Sequence, residues 1–366
     1  MMRKIIFAVI IIVLTMIFDV GVSAYSNETE ESIADIAGAD KLSNDYLSED
    51  EKNGDKSVNI FEKAITIILD TFKGNSRGVF ASFGSVMAVI ILCRVLDSLK
   101  FGDGEAIDSA MGYVSVLALS GITYSVIYKL FIFVIASMES LTLVMSSLLP
   151  ITASLYALGG SPASGAAASS GLSLFMNILS ILCTKVILPL LQTSFALSLT
   201  GAIPSGINLS AVSNFIKSLS TTLLAFIFTL LGFVLYFQTA VASASDGFFT
   251  RSVKFASGVF IPVIGGMLGD AAKTVMSSVS VIKGTVGTAG VVIILSVVIP
   301  PIVAVSLNKI MLLMCSALAK TLGCERESAL LYDLGGILNV LLALVFGSGA
   351  VCLIAMAIFV KTGGAV

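Results

Sequence analysis

The chain contains no histidine and no tryptophan, and only 12% of its 366 residues are charged. Without histidine there is no His-based zinc site, no Ser–His or Cys–His nucleophile pair and no histidine proton relay. Without tryptophan, an aromatic belt at a membrane interface has to come from Tyr and Phe. A soluble domain carries about 25% charged residues, so the shortage of charge argues against one. The net charge of −2 leaves no basic footprint for nucleic acid. The five cysteines are Cys93, Cys183, Cys315, Cys324 and Cys352. Their number is odd and no CxxC occurs, which argues against a disulfide framework. They read as small buried hydrophobes. No phosphate-binding loop is present either. Gly269-Asp-Ala-Ala-Lys273-Thr274 has the wrong glycine spacing for one. No cofactor or metal is expected, no enzyme is indicated, and any ATP-derived work must come from another chain.

What the chain has in excess is apolar length. Hydrophobic residues make up 57% of it, and the mean hydropathy is +1.03. The expected fold is an all-α polytopic membrane protein with about 7–8 transmembrane helices, since a span needs roughly 20 mostly apolar residues. Residues 1–24 read as a signal peptide. Arg3 and Lys4 precede the apolar core Ile5–Phe18, and Val22-Ser23-Ala24 forms a small-residue cleavage pattern. Residues 25–75 form an acidic extracytoplasmic leader, with twelve acids against five lysines. Within it, Ile60, Phe61, Ala64, Ile65, Ile68, Leu69 and Phe72 recur at helical spacing, which predicts an amphipathic helix against a membrane, a partner or the protein's own helices.

The polytopic domain occupies 76–366. Spans are expected at 79–96, 111–135, 138–158, 172–197, 221–244, 286–307 and 334–360, with a further helix at 309–322. The Gly/Ser-rich run 159–171 reads as a loop between two of them. With residue 25 outside and seven spans, Arg94, Lys100, Arg251, Lys254, Lys273, Lys283 and Lys361 fall on the cytoplasmic side. Lys129, Lys217, Lys309, Lys320 and Arg326 fall outside, a weak bias in the expected direction.

The most unusual stretch is 246–287. It is half apolar yet holds Asp246, Arg251, Lys254, Asp270, Lys273 and Lys283, and it is interrupted by Pro262 and by Gly265-Gly266. It suits a re-entrant or interfacial amphipathic element, or a cytoplasmic loop with two surface helices. Irregular backbone at membrane depth survives only under cover of protein or water. Asp270 and Lys273 are spaced for a local ion pair. A second feature lies inside the 172–197 span, where Lys185, Pro189 and Gln192 share a helix face. A charge there costs about 2.5–3.5 kcal/mol on insertion scales. The face is either a polar seam along a path or a place where Lys185 snorkels to an interface. Glu139, the one acid near the middle of a span, falls at an expected turn.

Three features together resemble the stage III sporulation protein AE family. The first is the central stretch, with Asp246-Gly247, Lys254-Phe255-Ala256, Phe260–Gly265, Asp270-Ala271, Thr274-Val275, Lys283 and Val286-Gly287. The second is Lys185–Leu190, and the third is the layout of signal peptide, acidic leader and many spans. The resemblance implies a subunit of a channel-like complex linking mother cell and engulfed forespore, in the mother-cell membrane around the forespore. It implies ring-forming membrane partners, a secretion-type cytoplasmic ATPase in trans, and a role in late forespore development. The alternative reading is a small-molecule permease.

Overall fold

The computed structural model describes residues 60–98, 105–158, 162–202, 209–233 and 265–362. They are almost wholly helical. Helix α1 is Ile60–Ser98, α2 is Glu105–Leu158 and α3 is Pro162–Ile181. A π-helical turn, Leu182–Ile187, joins α3 to α4, Leu188–Gly201. Helix α5 is Leu209–Phe233, α6 is Gly265–Thr321 and α7 is Glu325–Thr362. The expected signal peptide, most of the expected leader, and Asp246, Arg251, Lys254 and Pro262 lie outside the described residues.

Among the described residues six helices are long and apolar enough to cross a membrane: Lys63–Val95, Val114–Leu155, Ser169–Gly201, Leu209–Phe233, Val286–Thr321 and Glu325–Ala357. The all-α polytopic fold is therefore as expected, but the segmentation is not. The expected spans 111–135 and 138–158 form one 54-residue helix. Its sequence explains this: between Gly121 and Pro150 there is neither glycine nor proline, so nothing interrupts the ladder. Glu139 thus sits in mid-helix rather than at a turn. The apolar runs 286–307 and 309–322 likewise merge into α6. The amphipathic segment up to Phe72 forms the first third of α1. Its stripe of Ile65, Ile68, Leu69 and Phe72 stays exposed. The 159–171 run is not all loop, because α3 begins at Pro162. A proline fits the first helical position, where its missing N–H costs nothing.

A few contacts fix the direction of each helix. Ser115, near the start of α2, donates to Glu327 in the first turn of α7. Leu148 and Met356, toward their far ends, both lie against Gly290. Helices α2 and α7 therefore run the same way. Along the α3–α4 segment, Cys183 meets Ser348 at 3.8 Å and Met176 meets Cys352 at 3.9 Å, so this segment runs opposite to α7. Lys217 meets Asp333, and Phe228 lies against Gly347, so α5 runs parallel to α7. Arg94 of α1 packs beside Gly323, between α6 and α7. Among the described residues, six alternating passages bring Ile60, Phe233, Gly265 and Thr362 to one end. Arg94, Gly201 and Gly323 gather at the other. Arg94 and Lys361, expected on the same side, therefore lie at opposite ends of the described bundle.

Helices α6 and α7 form a tight hairpin. Cys324 N–H donates to Ala319 O at 2.9 Å, and Gly323 N–H to Lys320 O at 3.1 Å. This is a Schellman closure, and Gly323 takes the left-handed φ of 80° that the motif requires. Just below the turn, Ser316 and Ser328 each donate to the other's carbonyl at 2.8 Å. Small residues of this kind let helix backbones approach closely where lipid supplies no hydrophobic drive for association. The centre between helices is filled by Phe131, Phe175, Ile127, Leu130, Met145 and Leu191, all fully buried.

Candidate functional site in the helix bundle

Polar groups in an apolar bundle are costly unless paired, so they mark the places to examine. One group lies at the Gly323 end. Glu327 is buried in the first turn of α7, where a carboxylate complements the helix dipole. It accepts from Ser115 Oγ. Cys93 lies beside Ser115, within electrostatic reach of Glu327 and Cys324. These residues tie α1, α2 and α7 together. Two turns into α7, Asp333 pairs with Lys217 of α5 at 3.2 Å, both side chains being largely buried. Helices α4 and α5 are joined by a serine cluster. Ser213 Oγ lies 2.9 Å from Ser194 Oγ and 2.7 Å from Ser198 Oγ, all buried. Lys309 donates to Asn339 at 2.9 Å across the α6–α7 hairpin. All five cysteines are free thiols.

The second polar locus is the π turn. Leu188 N–H donates to Cys183 O, five residues back. Pro189 explains the widening. In a regular helix its ring would clash with the carbonyl of Lys185 and leave it without a donor. A wider turn before the proline relieves both problems, and such turns recur at functional sites. Lys185 and Pro189 are exposed and Gln192 is half-buried. They lie on the outward face of the α3–α4 segment together with exposed Ile178, Ile181 and Thr193. This face points away from the centre of the bundle. Pro189→Ala should let the regular ladder close and rotate Lys185 relative to α4. The expected result is a changed labelling rate for a cysteine placed at Lys185, with helical content unaltered.

The central-stretch residues are brought together only in part. Gly265 and Gly266 open α6, and Asp270, Lys273 and Lys283 follow in its first third. Sequence reasoning singled out neither Glu327 nor the Lys217–Asp333 pair. The available signal was simple: each is an ionisable residue inside or beside an apolar run. Among the described residues no three His, Cys, Asp or Glu side chains could hold a metal ion.

A sequence model described as stage III sporulation protein AE matches residues 43–363. The chain belongs to the stage III sporulation protein AE family. A curated relative, "Stage III sporulation protein AE" of Bacillus subtilis (strain 168), is 26% identical over 246 residues. That alignment spans 66% of this chain and 60% of the relative, so the chain covers less than two thirds of the relative's length. No solved structure matches the chain. Within the family match lie both polar loci, all six long apolar helices and the whole of 246–287.

Proposed function

We propose that this chain is a non-enzymatic membrane subunit of a channel-like complex that links mother cell and forespore and supports late forespore development. Its place is the mother-cell membrane surrounding the forespore. The observation that carries this reading is the family match across residues 43–363, which includes all six apolar helices. The packed centre supports a subunit role over the permease alternative. Phe131, Phe175, Met145 and Leu191 occupy the space a substrate path through a single copy would need. Lys185 and Pro189 instead lie on an outward face, where other subunits can meet them.

The partners proposed are ring-forming membrane proteins and a cytoplasmic ATPase acting in trans. With an extracytoplasmic leader, the end holding Ile60 and Thr362 faces the intermembrane space. The Gly323 turn, with Lys320 and Arg326 exposed beside it, then faces the mother-cell cytoplasm and is the surface for the ATPase. Deletion of the gene in its endospore-forming host should arrest development after engulfment, and the intact gene should restore it. Heat-resistant spore counts provide the measurement. Spores at the undeleted frequency would end this reading. Cysteine labelling at Lys320 from the cytoplasmic side tests the orientation separately.

A further inference from the structure

Two ionisable side chains face outward from the apolar body of the bundle. Lys185 is exposed on the π turn, and Glu139 is exposed in mid-α2. Neither has a hydrogen-bond or ion-pair partner among the described residues. Lys185 is the only charged residue of the Ser169–Gly201 span. It falls within every stretch of about 20 residues in that span that could serve as the membrane crossing. Ionisable groups at such depth need a counter-charge or water.

Their depths agree. Glu139 lies about three quarters of the way from Ser115 to Leu148 along α2. Ser115 is level with Glu327, and Leu148 is level with Met356 through Gly290. The same fraction of the way from Glu327 to Met356 along α7 is Ser348. Cys183, two residues before Lys185, contacts Ser348 at 3.8 Å. The unpaired cation and the unpaired anion therefore lie within about one helical turn of each other in depth. Beside each of them the surface is apolar: Leu143, one turn from Glu139, is 71% exposed, and Ile181, one turn before Lys185, is 58% exposed.

We propose that a second copy of this chain packs against this surface, with Lys185 of one copy paired to Glu139 of its neighbour. Copies inserted in the same orientation in one membrane keep the two charges at matching depth, so the surface is complementary to itself. Each copy supplies both signs, and neither charge is left facing lipid. The flanking apolar side chains exclude water, which strengthens the pair. Closed assemblies of identical subunits use self-complementary contacts of this kind. The inference rests on charge and depth, not on the sporulation role.

The test uses full-length chains carrying two different affinity tags, reconstituted together in phosphatidylcholine vesicles, solubilised mildly and captured on one tag. Wild-type copies should co-capture. Lys185→Glu chains mixed with themselves place like charges together, as do Glu139→Lys chains, and each should lose co-capture about tenfold or more. A mixture of Lys185→Glu chains with Glu139→Lys chains restores opposite charges at every contact and should recover it. Absence of wild-type co-capture, unchanged capture of the single variants, or failure of the mixture with normal helical content would each overturn the proposal; retained capture of the single variants would mean that Lys185 snorkels to the interface. If the reversed variants do not fold, Lys185→Cys chains are mixed with Glu139→Cys chains, with the five native cysteines replaced by alanine. Oxidation should then give a cross-linked dimer in the mixture alone, and its absence would overturn the proposal.

Discussion

Gly349→Leu is expected to unseat α7 from α6 and lower the melting temperature of the detergent-solubilised protein by several degrees or more. Gly349 is buried on the face of α7 that meets α6. A Cβ there would stand 2.5 and 3.0 Å from the two γ-carbons of Val298 and 3.2 Å from its Cβ. Valine is stiff about χ1, so those atoms cannot swing aside. The backbones must separate instead, breaking contacts along the hairpin. Overpacking of this kind costs about 1–3 kcal/mol, and a leucine falls at the upper end. Gly349→Ala should show a smaller loss, and adding Val298→Ala should recover most of it. Gly290 is the internal control. Its Cβ would meet the terminal methyl of Met356 at 2.5 Å, and a flexible methionine can move away. An unchanged melting temperature for Gly349→Leu would show that the hairpin is not packed as described.

The second large effect is expected at the Lys217–Asp333 pair. Asp333→Leu removes the carboxylate and leaves the ammonium of a lysine whose side chain is only 12% exposed. Breaking a buried pair by removing one partner costs about 3–5 kcal/mol, because the remaining charge is stranded. The partial exposure of Asp333, 23%, places this case near the lower figure. Replacing both, Lys217→Met with Asp333→Leu, removes the stranded charge and should recover most of the stability. Thermal unfolding of the single and double variants gives the coupling directly. A double variant no more stable than Asp333→Leu alone would show that the pair does not join α5 to α7 in this way.

Both predictions concern contacts between helices far apart in sequence, and such contacts were not legible from the residues. Gly349 is one of 32 glycines, and nothing in its neighbours marks it as the one facing Val298. Lys217 and Asp333 are separated by more than a hundred residues, with no local pattern to associate them. Glu139 was misplaced for a related reason. A charged residue between two apolar runs reads as a turn, whereas α2 has no glycine or proline there to end the helix. The outward position of Lys185 could be read in part. Its face with Pro189 and Gln192 follows from helical spacing, but which way that face points depends on where α7 and α2 pack.

What the sequence alone determined is the class of protein. Apolar runs longer than a bilayer is thick, with scarce charge and no histidine, permit an all-α membrane protein and little else, because only internally hydrogen-bonded helices of this composition suit hydrocarbon. The residues of the central stretch and the Lys185–Leu190 run were enough to point to the family. Tertiary structure decided the rest: how many helices the runs merge into, which ends gather on one side, and which charges are paired. Local periodicity reports only that a residue lies on a face. Pairing and depth depend on which helix lies opposite, and that is set by the close packing of small residues such as Ser316, Ser328 and Gly349.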